Sequence, residues 1–195
     1  MKKLIENGAS ITETDDKGNQ PIHWAAFTGN IELLDYLLAL GADINAARPD
    51  GARPIDLANI YLRNRTWHVA NNTDLFAKSN NLLKFLFERG AYCDIGTAAR
   101  IGKYDLVKEM VEENPRIIHA IPLYCDYFSG LPLRMAAGAG YLSIVEYLLE
   151  HGANPNQPEP GVAPAGGALH AAIWGRHFEI AEVLLKHDAH VDAEV

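Results

Sequence analysis

The strongest constraint on this chain is a closing phrase that recurs six times: an apolar pair, two further residues, then a residue able to take left-handed backbone, mostly followed by alanine. It reads Leu4-Ile5-Glu6-Asn7-Gly8-Ala9, Leu37-Leu38-Ala39-Leu40-Gly41-Ala42, Leu86-Phe87-Glu88-Arg89-Gly90-Ala91, Met110-Val111-Glu112-Glu113-Asn114, Leu148-Leu149-Glu150-His151-Gly152-Ala153 and Leu184-Leu185-Lys186-His187-Asp188-Ala189. The intervals between Gly8, Gly41, Gly90, Asn114, Gly152 and Asp188 are 33, 49, 24, 38 and 36 residues, a mean of 36. Gly, Asn and Asp adopt left-handed backbone at low cost, and a residue of that kind closes a helix by turning the chain back past its last carbonyls. Each anchor is therefore expected to end a helix.

A second phrase stands upstream: Pro21-Ile22-His23-Trp24-Ala25-Ala26, Pro54-Ile55-Asp56-Leu57-Ala58, Pro132-Leu133-Arg134-Met135-Ala136-Ala137 and Ala168-Leu169-His170-Ala171-Ala172. Proline suits the first turn of a helix, where its missing N–H is not needed. The alanines let neighbouring helices approach closely. Gly29 and Gly140, eight residues after Pro21 and Pro132, end short first helices. Second, amphipathic helices such as Ile31 to Leu38 follow, with apolar positions at helical spacing.

Two phrases in fixed register, with Pro21 and Pro54 separated by 33 residues, resemble the ankyrin-repeat family. Its unit is a β-turn and two antiparallel helices with a Thr-Pro-Leu-His-x-Ala phrase. The resemblance covers nearly the whole chain. It implies an all-α fold: an ankyrin-repeat α-solenoid of stacked helix–turn–helix units with β-turn or hairpin loops. The expected organisation is one domain over 1–195, with a partial repeat at 1–14 and five repeats at 15–47, 48–93, 94–126, 127–162 and 163–195.

The pattern departs from regularity in places. The second repeat carries an insertion over 62–80 that holds Arg63, Arg65, Trp67 and His68. It reads first as a tolerated surface loop and second as an additional binding feature. Pro158 to Gly167 is rich in Pro and Gly and is expected to be mobile. Arg176 takes the expected glycine position of the last repeat, with Gly175 one place early. The half repeat at the start, and a last helix with no polar outer face, lead to the expectation of a longer array.

In the ankyrin family the hairpin tips and the exposed side of the first helices form a concave face where partners dock. The residues that fall there are Phe27 and Thr28, Ile60 and Tyr61, Arg100 and Ile101, and Trp174, with Asp16, Lys17, Asn19, Tyr127 and Phe128 from the hairpins. Aromatics and Arg are the types that dominate binding hot spots. The resemblance also assigns His23 and His170 to the family's histidine, which bonds hairpin backbone. Asp56, Gly96 and Arg134 stand at that position elsewhere.

The expected function is therefore a non-catalytic module that binds a protein partner on its concave face. The alternative is a regulatory or targeting ankyrin domain belonging to a larger enzyme or multidomain protein. A net charge of −8 argues against a nucleic-acid partner. Two cysteines, Cys93 and Cys125, make no disulfide framework. No zinc spacing, phosphate loop, dinucleotide fingerprint or nucleophile elbow is present. No cofactor, metal or catalytic residue is expected. No signal peptide or membrane-spanning run stands in the sequence, and a cytoplasmic monomer that binds no membrane is expected.

Overall fold

The computed structural model describes residues 2–58, 73–122, 130–163 and 166–191. They form two compact units, Met1–Tyr92 and Cys93–Val195. The first unit contains α1 (Lys2–Glu6), α2 (Pro21–Phe27), α3 (Ile31–Ala39), a helical stretch over 54–58 and α4 (Thr73–Glu88). The second contains α5 (Ile95–Arg100), α6 (Tyr104–Glu113), a 3-10 turn (Pro115–His119), α7 (Pro132–Ala139), α8 (Leu142–Glu150), α9 (Ala168–Trp174) and α10 (Phe178–Lys186). Among the described residues there is no strand beyond one isolated bridge between Glu159 and Ala163.

The closing phrase works through hydrogen bonds. Gly41 N–H donates to Leu38 O (2.9 Å) and Ala42 N–H to Leu37 O (3.0 Å). The same pair recurs at Gly90 and Ala91, Gly152 and Ala153, and Asp188 and Ala189. This double closure needs a left-handed residue at the first position, and φ is 90° at Gly41, 87° at Gly90, 90° at Gly152 and 62° at Asp188. The alanine that follows is buried each time, so the phrase fixes both a backbone turn and a packing contact. Asn114 departs from this expectation: its φ is −144°. Proline at the next position drives the preceding residue into extended backbone. Asn114 instead caps the 3-10 turn, accepting a hydrogen bond from Arg116 N–H (3.2 Å).

In the second unit α7 packs between α5 and α9, and α8 between α6 and α10. The first helices form one row and the second helices another. Small residues set the spacing of the first row. Ala98, Ala99, Ala136, Ala137 and Ala172 are buried, and a Cβ on Gly96 would lie 2.3 Å from the Gly130 carbonyl oxygen. Val107, Val111, Ile144, Val145, Leu148, Ile180 and Leu184 form the core of the second row. In the first unit Leu33, Leu34 and Leu37 of α3 do the same work against α2.

Repeats are tied by side chains at recurring offsets. Asn45 donates to Gly90 O (3.0 Å) and accepts from Tyr92 N–H (2.7 Å). Asn156 makes the same pair with Asp188 O (2.8 Å) and His190 N–H (2.8 Å). The segment before α9 corrects the expectation of a mobile loop over 158–167: Glu159, Val162 and Ala163 are buried. Glu159 and Ala163 exchange two backbone hydrogen bonds of 2.8 Å. Glu159 accepts from Arg134 Nε (2.6 Å), Arg134 Nη2 (2.9 Å) and Leu131 N–H (2.8 Å). A Pro/Gly-rich composition marks a turn, but here a buried ion pair holds the turn against the preceding repeat.

Candidate protein-binding face

The clearest candidate surface in the first unit is an aromatic corner on α2. Trp24 and Phe27 lie one helical turn apart and meet edge to face, with ring centroids 5.6 Å apart at 88°. Trp24 is 40% exposed and Phe27 half-buried. The indole is held in place: Trp24 Nε1 donates to Asp15 Oδ2 (2.9 Å). Asp15 in turn accepts from the Asn19 side chain (3.1 and 3.0 Å) and from the backbone N–H groups of Asn19 and Lys17 (both 2.9 Å). The Asn19 side chain, followed by the other three donors, holds the Asp15 carboxyl down at about 2. The corner therefore has a fixed geometry and a charged carboxylate at its edge.

Around it, Asp16, Lys17 and Thr28 are exposed, as expected of hairpin and first-helix positions. Asn19 was expected on the binding face, and the structure corrects that. It is buried, donates to Asp15 and accepts from Arg48 Nη1 (3.1 Å), linking successive hairpin turns. Trp24 is not among the positions read from the sequence, which are the hairpin residues and the two residues before each helix-ending glycine. The spacing of three from Phe27 places both on one side of α2 and would have found it.

In the second unit the expected positions divide sharply. Trp174 is 60% exposed, stands edge to face with His170 at 6.3 Å and borders a shallow notch with His170, Val162 and Ala163. Arg100 and Ile101 are corrected: both are buried, as is every residue of α5. A guanidinium at that depth must be satisfied by the protein itself, and the Arg100 side chain is not free. Gly138 and Ala139, at the same positions of α7, are half-buried. Ile60, Tyr61, Tyr127 and Phe128, together with Arg63, Arg65, Trp67 and His68, lie outside the described residues. Of the expected insertion at 62–80, residues 73–80 belong to α4.

The ladder position of His23 shows one site answered by different chemistry. His23 is fully buried, and its Nδ1 accepts from Gln20 N–H (3.1 Å). That places the proton on Nε2. Nε2 makes no hydrogen bond of full geometry, although backbone groups of Ala52 and Ala46, in the next turn, favour the charged ring. Burial outweighs them and pushes the imidazole below its ordinary value. Arg134 holds the same position in α7 and meets Glu159 instead. His170 holds it in α9 and is exposed. Among the described residues no three of His, Cys, Asp and Glu converge on a common point. His151 and His187 bond through Nδ1 to the carbonyls of Tyr147 (2.7 Å) and Val183 (2.9 Å) in their own helices.

Stacked helix pairs closed by left-handed residues, with an exposed aromatic side, define a repeat-built interaction module. The chain belongs to the ankyrin-repeat family. Residues 95–195 match the model described as ankyrin repeats (3 copies), and residues 1–38 the model described as ankyrin repeats (many copies). Ankyrin repeats are protein-interaction modules. The chain is similar to protein phosphatase 1 regulatory subunit 27 of Mus musculus, at 42% identity over 57 residues, which are 29% of this chain and 37% of that one. Similarity to ankyrin repeat and SOCS box protein 9 of Mus musculus is 40% over 57 residues, 29% of this chain and 19% of the other. Similarity to the ankyrin repeat protein FPV222 of Fowlpox virus is 25% over 119 residues, 60% of this chain and 15% of the other. The chain thus spans little more than a third of the phosphatase regulatory subunit and less of the other two. Among the described residues no helix is long and apolar enough to cross a membrane.

Proposed function

We propose that the chain is a non-catalytic module that binds a protein partner on its concave face, the side built from hairpin tips and first helices. Trp24 and Phe27 anchor the partner in the first unit and Trp174 in the second. The observation that carries this reading is the fixed exposure of Trp24. A large apolar side chain held by a buttressed carboxylate loses little conformational freedom when a partner covers it, and Trp is enriched at hot spots. The notch beside Trp174 suits one partner side chain. Asp16, Lys17 and Thr28 supply a polar rim.

The test is affinity capture from source-cell lysate with the native chain beside Trp24→Ala/Phe27→Ala/Trp174→Ala, both confirmed folded by circular dichroism. Hot-spot truncations cost about 2 kcal/mol or more each, so a partner on this face is lost from the variant. A partner captured equally by both baits places binding elsewhere, with the region of Trp67 next to be tested.

A second reading, a regulatory or targeting role within a larger assembly, is favoured by the 42% identity to a phosphatase regulatory subunit over 57 residues. Direct titration of purified protein phosphatase 1 catalytic subunit checks it, and absence of binding at micromolar concentration removes that partner.

A further inference from the structure

The aromatic corner of α2 carries a charge that the chain does not answer. The Asp15 carboxyl, held down at about 2, is ionised at neutral pH. Every group bonded to it is a neutral donor: the Asn19 side chain, the backbone N–H groups of Asn19 and Lys17, and the indole Nε1–H of Trp24. Among the described residues no cation pairs with it. Arg48, from the next hairpin turn, is held by Asp50 and by the Asn19 side-chain oxygen. Glu13 and Asp16, close to Asp15 in sequence, add two exposed carboxylates, and Lys17 adds one cation.

That charge acts on the ring. An indole N–H that donates to a carboxylate is polarised toward it, which raises electron density over the ring face. Aromatic faces attract cations, and the indole face most of all. Trp24 is 40% exposed. Its plane is fixed by Asp15 at one edge and by Phe27, edge to face at 5.6 Å. Negative charge and an electron-rich, solvent-facing ring thus stand at one place. Five hydrogen bonds already occupy the two Asp15 oxygens, so this carboxylate offers charge more than free lone pairs. A guanidinium suits that better than an ammonium. It lies flat on an aromatic ring and is the more weakly hydrated of the two.

We propose that the corner formed by Asp15, Trp24 and Phe27 receives an arginine side chain of the partner, its guanidinium lying on the Trp24 indole beside the Asp15 charge. The partner that fits the first unit is therefore one that presents an arginine-bearing, basic segment. This rests on the proposed binding face and names the chemistry of its occupant at one point.

The test uses the full chain with nitrogen-15 in its tryptophans. The probes are a short Gly-Arg repeat peptide with blocked ends, its citrulline counterpart, which keeps the shape and loses the charge, and its lysine counterpart. NMR follows the Trp24 indole signal, assigned by its loss in Trp24→Phe. The arginine peptide shifts that signal saturably, the citrulline peptide binds about fivefold or more weaker, and the lysine peptide falls between them. Added salt narrows the gap. In Asp15→Asn the advantage of arginine over citrulline is lost while the Trp174 signal stays in place. The comparison of arginine with citrulline needs no variant, so it decides the matter if Asp15→Asn does not fold. Equal binding of the citrulline peptide at Trp24 overturns the inference and leaves a face that binds peptide without using charge. A lysine peptide as tight as the arginine peptide overturns the choice of guanidinium. No shift at Trp24 with any peptide, or a Trp174 shift in step with Trp24, which would mark general attraction to a chain of charge −8, also overturns it. The lysate capture then judges the face by itself.

Discussion

Removing the Glu159 carboxylate is expected to be the most damaging single change in the second unit. In Glu159→Ala the Arg134 guanidinium loses contacts of 2.6 and 2.9 Å, and the Leu131 N–H loses its acceptor at 2.8 Å. Both partners are buried, so water does not replace what is removed. Breaking one side of a buried pair costs about 3–5 kcal/mol, and an orphaned N–H adds about 1 kcal/mol or more. A unit of this size holds roughly 5–15 kcal/mol in total and shifts about 4–8 °C per kcal/mol. The Tm of the second unit is then expected to fall by at least about 12 °C, and thermal unfolding followed by circular dichroism measures it. The double variant Arg134→Met/Glu159→Leu separates loss of the pair from loss of packing. Replacing a buried pair by apolar groups of similar volume is often neutral, so the double variant recovers to within about 2 kcal/mol of the parent, the residue being the unmet Leu131 N–H. If Glu159→Ala costs under about 1 kcal/mol, the pair is not desolvated and the account of this turn is wrong. A double variant as unstable as the single one would place the cost in packing instead.

Other outcomes follow from groups on either unit. His23 is held below its ordinary value of 6.5 in the folded state, so the unfolded chain binds its proton first. Stability of the first unit is full above pH about 6.5 and declines as pH falls from there toward the lowered value. His23→Gln removes that slope in urea titrations, and an unchanged slope would refute it. Asp15 is depressed to about 2, so its contribution is present above pH about 4 and is lost as pH falls through 2. Carbon-detected titration of its carboxyl checks the value. Burial pushes the Cys93 thiol up to about 12. In a Cys125→Ser background, alkylation at pH 8 is expected to be slower than for a free thiol by about a hundredfold or more, and denaturant restores the rate. Gly140→Ala places a Cβ 2.5 Å from the His177 ring at φ 83°, and a loss of about 2 kcal/mol or more is expected in urea unfolding.

The helix ends were legible in the sequence because the chemistry that closes them is local. A left-handed turn admits few residue types, and Gly41, Gly90, Gly152 and Asp188 announce it by identity alone. Asn114 misled because the proline after it competes for the same backbone. What a side chain at a ladder position does was less legible, because its answer lies in the next repeat. Glu159, set between two prolines, reads as a solvated loop residue until Arg134, 25 residues earlier, is brought against it. Arg100 reads as an exposed hot spot by residue type, and only the enclosure of α5 shows otherwise. Trp24 needed the Asp15 contact before its exposure meant more than a loose indole. The position shared by His23, Arg134 and His170 makes the point general. An imidazole stands where the following turn offers backbone, and a guanidinium where it offers a carboxylate. His170, at the same position, is exposed and stands edge to face with Trp174. Residue type at this position is matched to its cover.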